Sequence, residues 1–165
     1  MAIEGIEQPE IIQIDENLRL RKFDWVYDFA LEWYQDKDTV WLIDGDRDPY
    51  TPKLMKKMYS YQDEGSELYF IEVLEDGEYK PIGDVAFEEL DMPIMIGEKK
   101  YRGQGIGTRV VGALIDRAKE LGFKEIQVEE IYEWNIGSQR LFMKLGFVPF
   151  RVMPNGHSYR LELRR

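Results

Sequence analysis

The sequence predicts a mixed α/β protein, one mostly antiparallel central sheet of six to seven strands flanked by about four helices. Three observations carry this. Two β-rich runs surround "EDGE" (75–78), which is the signature of a hairpin centred on Asp76-Gly77. A second pair of β-rich runs closes the chain around "PNG" (154–156). Between them, residues 105–121 and 135–147 place apolar side chains at helical spacing. Hairpins force antiparallel pairing, so a regular βαβ repeat is excluded.

The elements follow in order. "LRLRKF" (18–23) alternates apolar and polar, as a half-buried strand does. "DWVYDFALEWYQ" (24–35) reads as a helix, with Asp24 as its N-cap. "DGDRDPYTP" (44–52) is dense in turn formers and reads as a loop. Thr51 as N-cap and Pro52 at the first helical position open a helix to about Tyr61. The runs 67–74 and 79–90 are the first hairpin, and "MPIMIG" (92–97) is a short strand. From Gly105 to Leu121, Val110, Val111, Leu114, Ile115 and Ala118 form one apolar face, and Gly122 stops the helix. "KEIQVEEI" (124–131) reads as a strand. "NIGSQRLFMKLGF" (135–147) reads as a helix capped by Asn135 and stopped at Gly146.

The 165 residues suggest a single domain, 1–165, able to bury one sizeable core. No apolar run approaches the ~20 residues that a membrane span needs, so no membrane partner is expected. The acidic start "MAIEGIEQPE" has no signal-peptide pattern. The chain has no cysteine, which removes disulfides, thiolate metal sites and cysteine nucleophiles and fits a cytoplasmic protein. No metal site is expected. With 22 basic and 32 acidic residues, nucleic acid is not expected as the main partner, whereas cationic amines suit the charge.

Against this net charge of −10, "KKYRGQGIGTR" (99–109) holds four basic side chains, no acidic one, and glycines at 103, 105 and 107. It lies between a strand and an amphipathic helix. A helix N-terminus exposes unpaired N–H groups and a partial positive charge, and glycines let a ligand approach the backbone. A phosphate-binding turn is the natural reading. It is not a P-loop, because Gly107-Thr108 lacks the intervening lysine. It is not the dinucleotide fingerprint either, because Thr108 stands where Gly or Ala is needed.

Arg102-Gly103-Gln104-Gly105-Ile106-Gly107 resembles the R/Q-x-x-G-x-G/A signature of the GNAT N-acetyltransferases. Downstream, Asn135-x-x-Ser138 and Leu141-Phe142-x-Lys144-x-Gly146-Phe147 resemble that family's second block. The resemblance runs from about residue 18 to 164. It is nearest to the branch holding aminoglycoside 6′-N-acetyltransferases and ribosomal-protein N-terminal acetyltransferases. It implies a GNAT-like sheet, acetyl-CoA as donor with CoA as product, and a primary amine as acceptor. The amides of Gln104 to Thr108 would hold the pyrophosphate. Met95, Ile96 and Gly97, on a strand that splays from the next, would bond the pantetheine arm. Asn135, Ser138, Phe142 and Lys144 would line the cofactor cleft.

Direct attack by an amine needs no protein nucleophile; holding two substrates in line supplies most of the gain. The family's usual acid is a tyrosine in the second block, and Phe142 stands there, so Tyr132 becomes the substitute candidate. The aspartate of the aminoglycoside branch matches Pro93, which leaves Asp91 as the nearest candidate base or amine anchor. Glu130, Trp41 and Asp46 belong to acidic or aromatic segments that could rim an acceptor site. His157 reads as structural. The expectation is thus an N-acetyltransferase acting on a small cationic amine such as an aminoglycoside, as monomer or homodimer. The alternatives are acetylation of a protein N-terminus and a catalytically weak CoA-binding module.

Overall fold

The computed structural model describes residues 2–164. It contains β1 (Ile11–Gln13), β2 (Leu18–Lys22), α1 (Lys37–Asp44), α2 (Pro52–Gly65), β3 (Glu67–Glu75), β4 (Glu78–Phe87) and β5 (Ile94–Ile96). It continues with α3 (Ile106–Glu120), β6 (Glu125–Tyr132), α4 (Ile136–Lys144), β7 (Val148–Met153) and β8 (Gly156–Glu162).

Every ladder is antiparallel. The strands make two sheets rather than one continuous sheet, β1-β2-β3-β4-β5 and β6-β8-β7. Hairpin signals say which neighbours pair, but they cannot say where a sheet breaks. Here it breaks between β5 and β6, so the edge of β5 faces a gap.

The turn between β3 and β4 has φ +53° at Asp76 and +79° at Gly77. Both central residues are left-handed, as the tight hairpin requires. Thr51 caps α2 by accepting from Leu54 N. Asn135 caps α4 by accepting from Ser138 N.

The stretch 24–35 is not one helix. It holds two short 3₁₀ turns, Asp28–Ala30 and Trp33–Gln35. Asp24 accepts from Val26 N, and Trp25 adopts φ +66°, so Asp24 makes a local turn rather than a cap. The helix starts later: Asp36 accepts from Thr39 N and caps α1. The spacing of Trp33 and Tyr34, both buried, serves an aromatic core and not a helix face.

The core has two parts, one on each face of the larger sheet. The face with Leu20, Tyr69, Ile71, Val85 and Phe87 packs against α3 through Val110, Val111, Leu114 and Ala118. Each large side chain buried here is worth about 1.5–3 kcal/mol. The other face, with Phe70, Ala86 and Met95, packs under α1 and α2 against Phe23, Trp33, Tyr34, Met55 and Tyr59. Asp84 lies buried in this second core and accepts from the hydroxyls of Tyr34 (2.6 Å) and Tyr59 (2.8 Å).

Candidate active site

The glycine turn opens α3. Gly103 (φ +73°) and Gly105 (φ +79°) are left-handed, and a Cβ on either would meet nothing within 4 Å. Their backbone therefore faces open space, and the left-handed angles strain any other residue. Arg109 N donates to Gly105 O, the first bond of the helix. No bond within the described residues takes up the N–H groups of Gly103, Gln104, Gly105, Ile106, Gly107 and Thr108. Six consecutive free donors at a helix N-terminus make an anion cradle.

The charge around this cradle differs from the sequence expectation. Lys99 pairs with Asp36 at 2.8 Å, Lys100 with Glu75 at 3.4 Å, and Arg109 with Asp15. Arg102 donates through Nε to Ile96 O (2.8 Å) and through Nη2 to Thr39 Oγ1 (2.9 Å). All four basic groups are spent within the protein. The free cations of the cleft are instead Arg140 and Lys144, one turn apart on α4; neither is in an ion pair among the described residues. The sequence reading missed Arg140, although its i, i+4 spacing from Lys144 was the available signal.

Gly107 has a different task from its two neighbours. A Cβ there would lie 2.5 Å from Leu141 Cδ1, so this glycine lets α3 approach α4. Gln104 turns its amide back to Lys100 O, and so contributes its backbone to the cradle, not its side chain.

From the cradle a cleft of about 470 Å³ runs along β5. Thr39, Leu42 and Ile43 of α1 line it, as do Ile94, Met95, Ile96, Tyr101, Arg102, Asn135, Ser138, Leu141 and Lys144. Pro93 O accepts from Ala86 N, and Gly97 N donates to Ile82 O. Ladder bonds alternate along a strand, so residues 93, 95 and 97 bond to β4 while Ile94 and Ile96 face the gap, the Ile96 carbonyl already accepting from Arg102 Nε. Of the expected trio only Ile96 does so, and Ile94 joins it. Met95 buries its side chain in the second core, and the open side of Gly97 abuts the Trp33 ring.

The cleft continues into a second lobe of about 380 Å³ through the shared residues Leu42, Ile43, Ile94, Asn135 and Ser138. Asp91, Pro93, Glu129, Glu130, Tyr132, Phe142 and Met153 line this lobe; no Lys or Arg does. Phe142 is buried and packs edge-on to Phe147. Asp91 Oδ1 accepts from Met92 N (2.9 Å) and Glu129 N (3.0 Å). Burial pushes its carboxyl above the ordinary range, against those two bonds. Glu130 Oε2 accepts from Asn155 N at 2.8 Å.

Tyr132 stacks on Trp134 with ring centres 4.8 Å apart, and Trp134 stacks on Trp41 at 4.6 Å. Trp134 Nε1 donates to Trp41 O, and Asn135 Nδ2 to Leu42 O, which pins α1 across the mouth of the site. Burial, with the charges of Glu130, Asp44 and Asp46, raises the Tyr132 phenol above its ordinary value. Trp41 and Asp46 do not line the cleft. Trp41 is the outer ring of that stack, and Asp46 accepts from Asp48 N in an exposed turn. Gly45 is tight against Trp134, 3.0 Å from the position of a Cβ. His157 sits in the β6–β8 ladder opposite Ile131 and is not among the residues that line the cleft.

Comparison with known proteins bears on this geometry. No protein of curated function matches the chain in sequence. The domain described as "Acetyltransferase (GNAT) domain" matches residues 17–148. Among solved structures, a domain from Methanocaldococcus jannaschii shares 24% identity with a TM-score of 0.75 over 90% of this chain and 100% of that one. The Salmonella typhimurium enzyme that modifies the N-terminal serine of ribosomal protein L7/L12 has 17% identity and a TM-score of 0.68, over 94% and 100%. Spermidine N-acetyltransferase from Vibrio cholerae, solved with CoA and spermine, has 16% identity and a TM-score of 0.65, over 90% and 97%. At such identities these likenesses speak for the fold, while the domain match covers most of the chain. With its splayed strands and the cradle that opens α3, the chain belongs to the GNAT acetyltransferase family.

Proposed function

We propose that this chain is an acetyl-CoA-dependent N-acetyltransferase that acetylates a small cationic amine by direct attack. The observation that carries the reading is the opposite polarity of the two ends of one cleft. Six free amides, Arg140 and Lys144 stand at one end; Asp91, Glu129 and Glu130 line the other, in a lobe that no Lys or Arg lines.

The residues present fit acetyl-CoA. The cradle suits a pyrophosphate, because no Cβ fills the space in front of Gly103 and Gly105. Arg140 and Lys144 suit further phosphate charge. The Ile94 N–H and C=O and the Ile96 N–H offer the edge of an unpaired strand to a pantetheine arm, and Tyr101 lines the same cleft. Acetyl-CoA, when bound, supplies the activated acetyl group. The chain's own residues hold it in line with the amine, and a β5 N–H offers a donor for the developing oxyanion. Tyr132, which lines the lobe and holds its phenolic proton at neutral pH, is our candidate to donate a proton to the leaving thiolate, since Phe142 has none to give. Glu130 and Glu129 attract the cationic acceptor.

The resemblance implies a primary amine, of which an aminoglycoside is our named example, and the Vibrio cholerae neighbour is named for spermidine; both are polycations that the acidic lobe suits. One observation favours a second reading, acetylation of a protein N-terminus. A further groove adjoins the acidic lobe at Asp91, Pro93 and Glu129 and runs out to Tyr61 and Leu90. That is a path for an extended chain.

The test is thiol release from acetyl-CoA with aminoglycosides, polyamines and short peptides as acceptors. The protein has no cysteine, so a thiol-reactive dye sees only CoA. Release with one class identifies the acceptor. Binding of acetyl-CoA without release for any class would replace the enzyme reading with a CoA-binding module.

A further inference from the structure

The two sheets share no ladder, so something else must fix the width of the gap between β5 and β6. At its acidic end they meet through the loop 88–93. Gln127 N donates to Glu89 O at 2.9 Å, and Glu129 N donates to Asp91 Oδ1 at 3.0 Å. Glu129 occupies a bulge. The β6–β8 register passes from Val128↔Tyr159 to Ile131↔His157, so two residues of β6 oppose Ser158 alone. The bulge leaves Glu129 without ladder partners, and side chains replace them. Ser158 Oγ donates to Glu129 O, and Asp91 accepts from Glu129 N. The same Asp91 oxygen accepts from Met92 N, the residue that leads into β5.

We propose that Asp91 is a positioning residue: its Oδ1 clasps the β6 bulge to the start of β5 and so sets the slot in which the thioester and amine meet, and it is not the base. The consequence for catalysis rests on the acetyltransferase reading above. The geometry itself favours the clasp. Both amides converge on one oxygen, a task that the isosteric amide oxygen of an asparagine, though a weaker acceptor, also performs. A base, in contrast, requires the ionisable group.

An isosteric and a truncating substitution separate the two roles. Asp91→Asn keeps the acceptor oxygen and removes the titration; Asp91→Ala removes both. Three readouts are taken on the full chain: calorimetric affinity for acetyl-CoA, hydrogen exchange at the Glu129 amide, and the pH profile of turnover with whichever amine releases thiol. Asp91→Ala should weaken acetyl-CoA roughly tenfold and speed Glu129 exchange by at least about tenfold. Asp91→Asn should stay within about twofold of wild type in both and keep the wild-type pH profile. Wild-type behaviour of Asp91→Ala, or an Asp91→Asn as impaired as Asp91→Ala, would overturn the clasp. Loss of the acidic limb's pH dependence in Asp91→Asn would restore Asp91 as the base. If Asp91→Ala does not fold, the Asp91→Asn profile decides alone. A wild-type protein that binds no acetyl-CoA would sink the acetyltransferase reading instead, and Glu129 exchange would still judge the clasp.

Discussion

The two ends of the cleft are built in opposite ways. At the cradle, the anion-binding groups come from one run of six residues, Gly103–Thr108, and need only local backbone angles. At the acidic lobe, Asp91 and Glu129 are 38 residues apart and meet through a side chain, and Trp134 reaches Trp41 across 93. The first end is assembled by a turn, the second by the packing of both sheets and α1. The polarity follows the same division. In the proposed function the cradle attracts through oriented dipoles, because its own lysines and arginines are already bonded. On the same proposal the lobe attracts through carboxylates that have no ion-pair partner among the described residues. Dipoles fixed by the backbone are less screened and less easily removed than side-chain charges, so mutations at the two ends should differ in severity.

The harshest break is Gly105→Glu. It places a side chain, a negative charge and a strained left-handed residue in the cradle, and calorimetry should show acetyl-CoA affinity falling by about a hundredfold or more. Unchanged affinity would take the turn out of the site. Next comes Arg140→Ala with Lys144→Ala. Losing two phosphate contacts should raise the KM for acetyl-CoA about tenfold and flatten its salt dependence, with the acceptor KM untouched. An acceptor effect as large as the acetyl-CoA effect would erase the distinction between the ends. Glu130→Gln tests the other side. Its amide oxygen can still accept from Asn155 N, so only the charge is lost. The acceptor KM should rise several-fold, roughly 3–10, while acetyl-CoA binding stays level.

The smallest effect on binding, ideally none, belongs to a carboxylate behind the sheet. Burial pushes Asp84 up to about 6, partly offset by the two tyrosine hydroxyls. The native state therefore holds this proton when the unfolded chain has lost it, between pH about 4 and 6. Across that window rising pH removes stability, by about 3 kcal/mol at most, and above it the loss is complete. Asp84→Asn should flatten this slope in melting temperatures taken at pH 4.5, 6 and 7.5, without changing either KM. A slope that persists in the variant would assign it to another group.

How much of this was legible is a matter of range. The hairpin at Asp76-Gly77, the caps Thr51 and Asn135, the α3 face and the cradle each depend on residues within one or two turns of each other, and each stood where the sequence placed it. The stretch 24–35 misled because apolar spacing records burial, not the element that achieves it; Trp33 and Tyr34 are buried from 3₁₀ turns. Basic residues near the turn read as ligands because their partners, Asp36, Glu75 and Asp15, lie far away in the chain. Trp41 and Asp46 read as rim residues, and only the stack with Trp134 shows where Trp41's ring is spent.

By itself the sequence determined the strand and helix order, the turn that starts α3 with its donors free, and the family to which these belong. Those are properties of local dihedral preference and of short motifs. Tertiary structure decided that the sheet splits after β5, that Ile94 and Ile96 face the split, that Arg140 lines the cleft without an ion-pair partner among the described residues, and that Asp91 bridges to a bulge in β6. These depend on pairings between segments tens of residues apart, whose energies arise only when the chain has packed.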